Sequence, residues 1–152
     1  SISSVNWYYM YENSKKIAAN NNVVSTMIWG SLWDRTLIWL TETGEKTYAE
    51  IVDSRTWGNH SDSSGEAEAS SGSRRATGFS EAWKANNIYD LAGNVFDRTI
   101  EANSTVSRVF RGGSYHNSGS SGPASNRSNY DPSSPNSNGG SRPALYVALD
   151  TE

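Results

Sequence analysis

Few residues of this chain can do covalent or acid–base chemistry. It has no cysteine, which removes disulfides, thiolate metal sites and cysteine nucleophiles together. Its two histidines, His60 and His116, lie far apart in polar surroundings. A triad would need one of them beside a serine and an aspartate, but no Gly-x-Ser-x-Gly elbow presents such a serine. Both are read as solvated loop histidines. Gly112-Gly113 lacks the Gly-Lys-Ser/Thr ending of a phosphate loop and is read as a turn. Asn94 and Asp97, with main-chain carbonyls between them, are oxygen donors of the kind Ca²⁺ accepts, although the turn at Asn94 explains that residue equally well.

The elements that must position these groups centre on residues 87–114. Ile88, Tyr89 and Leu91 form a short apolar run that turns at Gly93-Asn94, where both residues tolerate positive φ. Val95, Phe96, Thr99 and Ile100 have the composition of a strand. A polar hinge at Asn103-Ser104 leads to Val106, Val109 and Phe110, and Gly112-Gly113 ends the run. Upstream, residues 1–5 read as an opening strand. A helix follows from Asn6, with Trp7, Tyr11, Ser14 and Ile17-Ala18 on one face, and Asn20-Asn21-Asn22 ends it. A second helix starts at Ser31, with Ser31 and Asp34 as a capping pair. Leu32, Thr36 and Leu40, with Trp33 and Leu37, form its apolar stripe, and Gly44 suits its C-terminal cap. Trp29, Trp33, Trp39 and Trp83 are read as packing residues. Residues 60–75, rich in Ser, Gly and Glu, read as a surface loop, and Arg142 to Leu149 as a buried closing strand. Two helices followed by strands imply one α+β domain over residues 1–152.

The 16 acidic and 13 basic side chains give a net charge of −3 with no basic run. That argues against nucleic-acid and membrane-surface partners, which need clustered Lys and Arg. No apolar stretch approaches the ~20 residues of a bilayer span, so membrane insertion is not expected. Ser1 stands where an initiator methionine would, and the chain is expected to be the C-terminal part of a longer protein.

Asn-Ile-Tyr-Asp-Leu-Ala-Gly-Asn-Val at 87–95 and Arg-Val-Phe-Arg-Gly-Gly-Ser at 108–114 resemble the core motif of the formylglycine-generating-enzyme-like domains. Trp57-Gly58-Asn59 and Val5-Asn6-Trp7 resemble two further motifs of that family. Phe96-Asp97-Arg98 replaces its Trp-Glu-Trp, Tyr115 replaces a Trp, and Gly140-Ser141-Arg142 replaces Gly-Phe-Arg. The resemblance implies a C-type-lectin-like fold, with helices packed on a twisted, mostly antiparallel sheet. It also implies calcium near Asn94 and Asp97 in some members, with no cofactor otherwise required. The family's namesake enzyme works through a pair of cysteines downstream of Arg-Gly-Gly-Ser. The matching region here, 115–128, has none, so that activity does not carry over.

The segment 112–141 is unusual. Twenty-one of its thirty residues are Ser, Gly or Asn, a composition that suits either a disordered linker or a binding surface held on a scaffold. Strand signals on both sides favour the second reading. From Arg108 to Leu149 there is no Lys, Glu, Trp or Met, whereas residues 1–107 hold twenty of these four types. At that frequency roughly eight would be expected in the tail. With Gln, which the chain lacks, they are the residues that randomising the first two bases of an asparagine codon cannot produce. The chain therefore resembles the variable proteins of diversity-generating retroelements. The resemblance implies a non-catalytic, ligand-binding face built from Tyr115, His116, Asn117, Ser118, Ser120, Asn126, Ser128, Asn129, Tyr130, Asp131, Asn136, Ser137 and Asn138. The implied partner is a protein or glycan receptor on a target cell, bound from a phage tail or bacterial surface. Assembly into oligomers is compatible with this. The alternative is a catalytically inactive formylglycine-generating-enzyme-like domain with one fixed glycan or protein partner.

Overall fold

The computed structural model describes residues 3–20, 22–70 and 72–147. Ser1, Ile2, Ala148 and Leu149, which belong to the expected first and last strands, lie outside them. Asn21 of the expected helix end also lies outside.

The chain opens differently from expectation. Residues 3–5 form no strand. Ser4 takes a positive φ of 63°, and its N–H donates to the Asn136 carbonyl at 3.0 Å. Helix α1, Trp7–Ser14, starts where the sequence places it, capped by the Asn6 side chain, but it ends four residues before Ala18. The Ala18 N–H bonds instead to Ser25 Oγ, and Ile17 is left exposed. The segment beyond is claimed by strand β1, Ala19–Asn20, which pairs with β2, Val23–Met27. Strand β2 was not foreseen. It forms because β9, Pro143–Val147, lies antiparallel beside it, with Ser25 opposite Leu145. β9 is paired as expected but not buried: Ala144 is covered, while Leu145, Tyr146 and Val147 are exposed.

Helix α2, Gly30–Glu42, begins one residue before Ser31, and its N-terminal cap, Trp29, makes no side-chain capping bond. Asp34 turns away to pair with the guanidinium of Arg111, which is 3% exposed. A buried guanidinium without a carboxylate costs several kcal/mol, more than the roughly 1 kcal/mol of a cap. The buried stripe is Gly30, Trp33, Leu37 and Leu40, and Leu32 faces outward. Gly44 takes φ 74°, as its place after the helix requires. A third helix, α3, Tyr48–Val52, was missed although it carries a complete capping box, Thr47 with Glu50.

Residues 87–114 fold largely as anticipated, but the hinge lies at Thr105-Val106 rather than Asn103-Ser104, which end β5, and Val106 is exposed. Strand β4, Ile88–Tyr89, pairs with β3, Lys84–Ala85. Gly93 and Asn94 take φ of 71° and 57°. β5, Phe96–Ser104, then runs antiparallel to β6, Ser107–Arg111. The tail adds β7, Arg127–Tyr130, antiparallel to β6, and β8, Gly139–Ser141, parallel to β5, giving a four-stranded sheet in the order β7-β6-β5-β8. The main core gathers Trp33, Leu37, Leu40, Ile51, Trp57 and Leu91 between the helices and this sheet. Trp33 and Trp83 are buried as expected, whereas Trp29 and Trp39 are 36% and 41% exposed. Among the described residues no helix is long and apolar enough to cross a membrane.

Candidate ligand-binding face

The segment 112–141 is held by its main chain. Gly112 and Gly113 take φ of 83° and 65°, and a Cβ on Gly113 would lie 2.7 Å from the Gly122 carbonyl carbon. The Gly112 carbonyl accepts the Gly93 N–H at 2.6 Å, and the Tyr115 N–H donates to the Asn94 carbonyl at 3.0 Å. Further along, the Asn117 carbonyl accepts Ser61 N–H at 2.9 Å and the Gly119 carbonyl accepts Ser54 N–H at 3.0 Å. The Gly119 N–H donates to Asp62 at 2.7 Å, the Ala124 N–H to Ser54 Oγ, and the Trp33 indole to the Ala124 carbonyl at 2.9 Å. Most of these bonds end on backbone atoms of the tail. Tail side chains outside the local caps made by Asn117, Asp131 and Asn136 are thus left free to differ without unpinning it.

Part of the clamp comes from residues 60–75, which are not the plain surface loop the composition suggests. His60, Ser63 and Ala67 are buried, with His60 and Ala67 fully so, and the Trp83 indole donates to the Ala67 carbonyl. His60 is no solvated loop histidine. Burial pushes its pKa from 6.5 down to about 4, with Asp62 the largest opposing influence. Between those values the unfolded chain binds a proton that the folded chain refuses, so stability falls as pH falls from 6.5 towards 4. The full loss is about 3 kcal/mol. The Tm of the wild type should therefore drop through this window more steeply than that of His60→Gln, and equal slopes would rule the assignment out.

On the outside, His116, Asn117, Asn126, Ser128 and Asn138 line a shallow concavity of about 340 Å³, completed by Ser114 and Ser121. Its floor is Phe96 and Phe110, with ring centroids 4.2 Å apart. The register explains the floor. Phe110 pairs with Ser128, and Phe96 pairs with Gly139, where a Cβ would lie 2.7 Å from the Phe96 ring. Tyr115 stands beside this rim, its ring tilted against His116 with centroids 4.1 Å apart, and its hydroxyl donates to Asn138 at 3.1 Å.

The other expected positions are more dispersed. Ser118 bonds to Ser121 at 2.8 Å, and Ser120 is exposed at the turn. Tyr130 packs on Phe96 and Phe110 at 6.1 and 5.9 Å. Asn129, between Ser128 and Tyr130, faces the opposite side of β7 by strand alternation. Asp131 ties down Ser133. Asn136 caps the Asn138 N–H at 2.7 Å, and Ser137 is exposed, its carbonyl held by Arg74. Sequence reasoning missed Phe96 and Phe110 as ligand-facing groups. Their strand pattern was visible, but the gap above them depends on pairing with β7 and β8.

The fold is shared with Treponema denticola variable protein 1. The two chains superpose with a TM-score of 0.61 at 18% identity, over 95% of this chain and 70% of the Treponema protein. No family profile and no curated protein matches the sequence. Among the described residues, three α-helices and sheets in which all but one strand pair is antiparallel are compatible with a C-type-lectin-like architecture.

Asn94 and Asp97 do not fit a calcium shell. The Asn94 side-chain oxygen already accepts the Arg75 N–H at 3.0 Å and the Asn59 amide at 3.2 Å. Asp97 is paired with Arg142 at 3.1 Å, and burial raises its pKa against that pairing. Among the described residues no group of three or more His, Asp or Glu could hold a metal ion.

Proposed function

We propose that this chain is a non-catalytic ligand-binding protein of a diversity-generating retroelement, in the formylglycine-generating-enzyme-like subclass of the C-type-lectin fold. Its tail would present a diversified face to a protein or glycan receptor, from a phage tail or bacterial surface. One observation carries this reading. The segment that lacks Lys, Glu, Trp and Met is also the segment whose backbone is fastened by the rest of the chain. The likeness to a protein named as variable supports it. Uncharged amides and hydroxyls above two phenyl rings suit a ligand with both polar and apolar surface.

Sequencing the 3′ end of the gene across its source population tests the proposal. Changes confined to codons of about 115–141 are expected, sparing Gly119 and Gly122. A Cβ on Gly119 would lie 2.6 Å from Arg55 Cα, and one on Gly122 would lie 2.7 Å from Asn117 Cβ. An invariant tail would overturn diversification and leave a fixed-partner binding domain. In purified protein, Ser120→Tyr and Asn129→Asp, both at exposed positions, should change stability by no more than about 0.5 kcal/mol. Gly119→Ser should destabilise by about 2 kcal/mol or more, because its clash is with backbone. Equal thermal shifts for all three would contradict the division between clamp and face.

A further inference from the structure

One charged group beneath this face has no oppositely charged partner among the described residues. Arg98 lies in β5 and is 0% exposed. Its Nη2 donates to the Ser134 carbonyl at a long 3.4 Å, while Nε and Nη1 have no hydrogen-bond partner among the described residues. Every ion pair among the described residues uses another cation. The Tyr130 ring lies over the guanidinium, 4.5 Å from its centre. On another side stands Gly139, where a Cβ would come within 3.1 Å of Nε. A guanidinium taken out of water is normally matched to a carboxylate; here, among the described residues, the compensation is the Tyr130 aromatic face and the one long bond to a carbonyl.

We infer that Arg98 is a fixed anion anchor, covered in this chain by Tyr130 and opened when residue 130 is small. The ligand chemistry is a small oxyanion, above all a carboxylate, whose two oxygens match the guanidinium fork. Tyr130 caps a floor shared with the concavity above Phe96 and Phe110, so an opened anchor would add charge recognition to a site otherwise made of neutral groups. Tyrosine, serine, asparagine and aspartate all belong to the residue set that the tail uses. Exchange at position 130 would thus switch one scaffold between neutral and acidic ligands. That natural use rests on the proposed function, but the anchor does not need residue 130 to vary.

The test is acetate titration of Tyr130→Ser against sodium chloride at equal ionic strength, read by Tm and by the Arg98 Nε–Hε NMR signal. Tyr130→Ser should show a saturable rise in Tm with a shift of that signal, and the wild type should show neither. Adding Arg98→Met should weaken apparent acetate affinity by about tenfold or more. A folded Tyr130→Ser protein that responds to acetate no more than the double variant overturns the anchor. Should Tyr130→Ser not fold, Tyr130→Asp and Tyr130→Asn decide. The internal carboxylate of the aspartate variant should raise its Tm above that of its amide isostere at pH 7, and an equal or lower Tm overturns the anchor. A flat acetate response leaves diversification standing, and an invariant tail in the population leaves the anchor standing.

Discussion

Gly93→Ala should destabilise the chain by roughly 2 to 5 kcal/mol. Gly93 takes φ 71°, and its Cα faces the Asn59 main chain so closely that a Cβ would lie 2.6 Å from the Asn59 carbonyl carbon. Asn59 and Gly93 are bridged as isolated β-partners, and neither backbone can yield without breaking that bridge and the Gly93–Gly112 bond. A left-handed alanine costs about 1 to 2 kcal/mol, and a clash against backbone adds roughly 1 to 3 more. Set against a total stability of about 5 to 15 kcal/mol, that sum is large enough to lower the Tm by on the order of ten degrees. Thermal melts followed by circular dichroism give the answer. A Tm within a few degrees of wild type would mean that the Asn59–Gly93 contact is not rigid. Gly44→Ala is the control, since Gly44 has a similar φ of 74° and nothing within 4 Å of its Cβ position, and it should lose only the conformational part.

Asn94→Ala should cost roughly 3 to 5 kcal/mol, through several polar groups left unpaired inside the protein. The Asn94 amide accepts from Arg75 N–H and Asn59 and donates to the Arg75 carbonyl at 3.0 Å and to Asp90 at 3.1 Å. Asn94 is itself fully buried, and Asp90 nearly so. Alanine restores none of these bonds, and it must also hold φ 57°. The same residue separates a hydrogen-bonding role from a metal-binding one. If the amide is a hub, EDTA leaves the wild-type Tm unchanged and Asn94→Ala lowers it. A chelator that brings the wild type down to the variant's Tm would restore calcium to this turn. Because the Tyr115 N–H bonds to the Asn94 carbonyl, loss of this hub should also loosen the start of the ligand face.

The chain's local rules were legible without coordinates. Gly93-Asn94 declared its positive φ, and Gly112-Gly113 its turn, because the requirement lies within single residues, and β5 and β6 showed themselves by their β-branched and aromatic composition. Asn6 marked the start of α1 by the same kind of local chemistry. The missing residue types of the tail are a property of composition alone, so they too could be read directly.

What stayed hidden depended on partners distant in sequence. β2 is five residues whose strand identity is completed by β9, more than a hundred positions later. Its pairing also cut α1 short, since helix propensity differences of a few tenths of a kcal/mol per residue cannot resist a strand ladder. Asp34 left its expected capping role for the buried charge of Arg111, and His60 was drawn under the loop that it helps to hold. The aromatic floor and the covered Arg98 exist only because β7 and β8 lie on either side of the β5–β6 pair. Sequence by itself determined which backbone turns were obligatory and which segment lacks Lys, Glu, Trp and Met. Only tertiary structure decided which groups share a surface, because desolvation and packing act between residues that the chain order keeps apart.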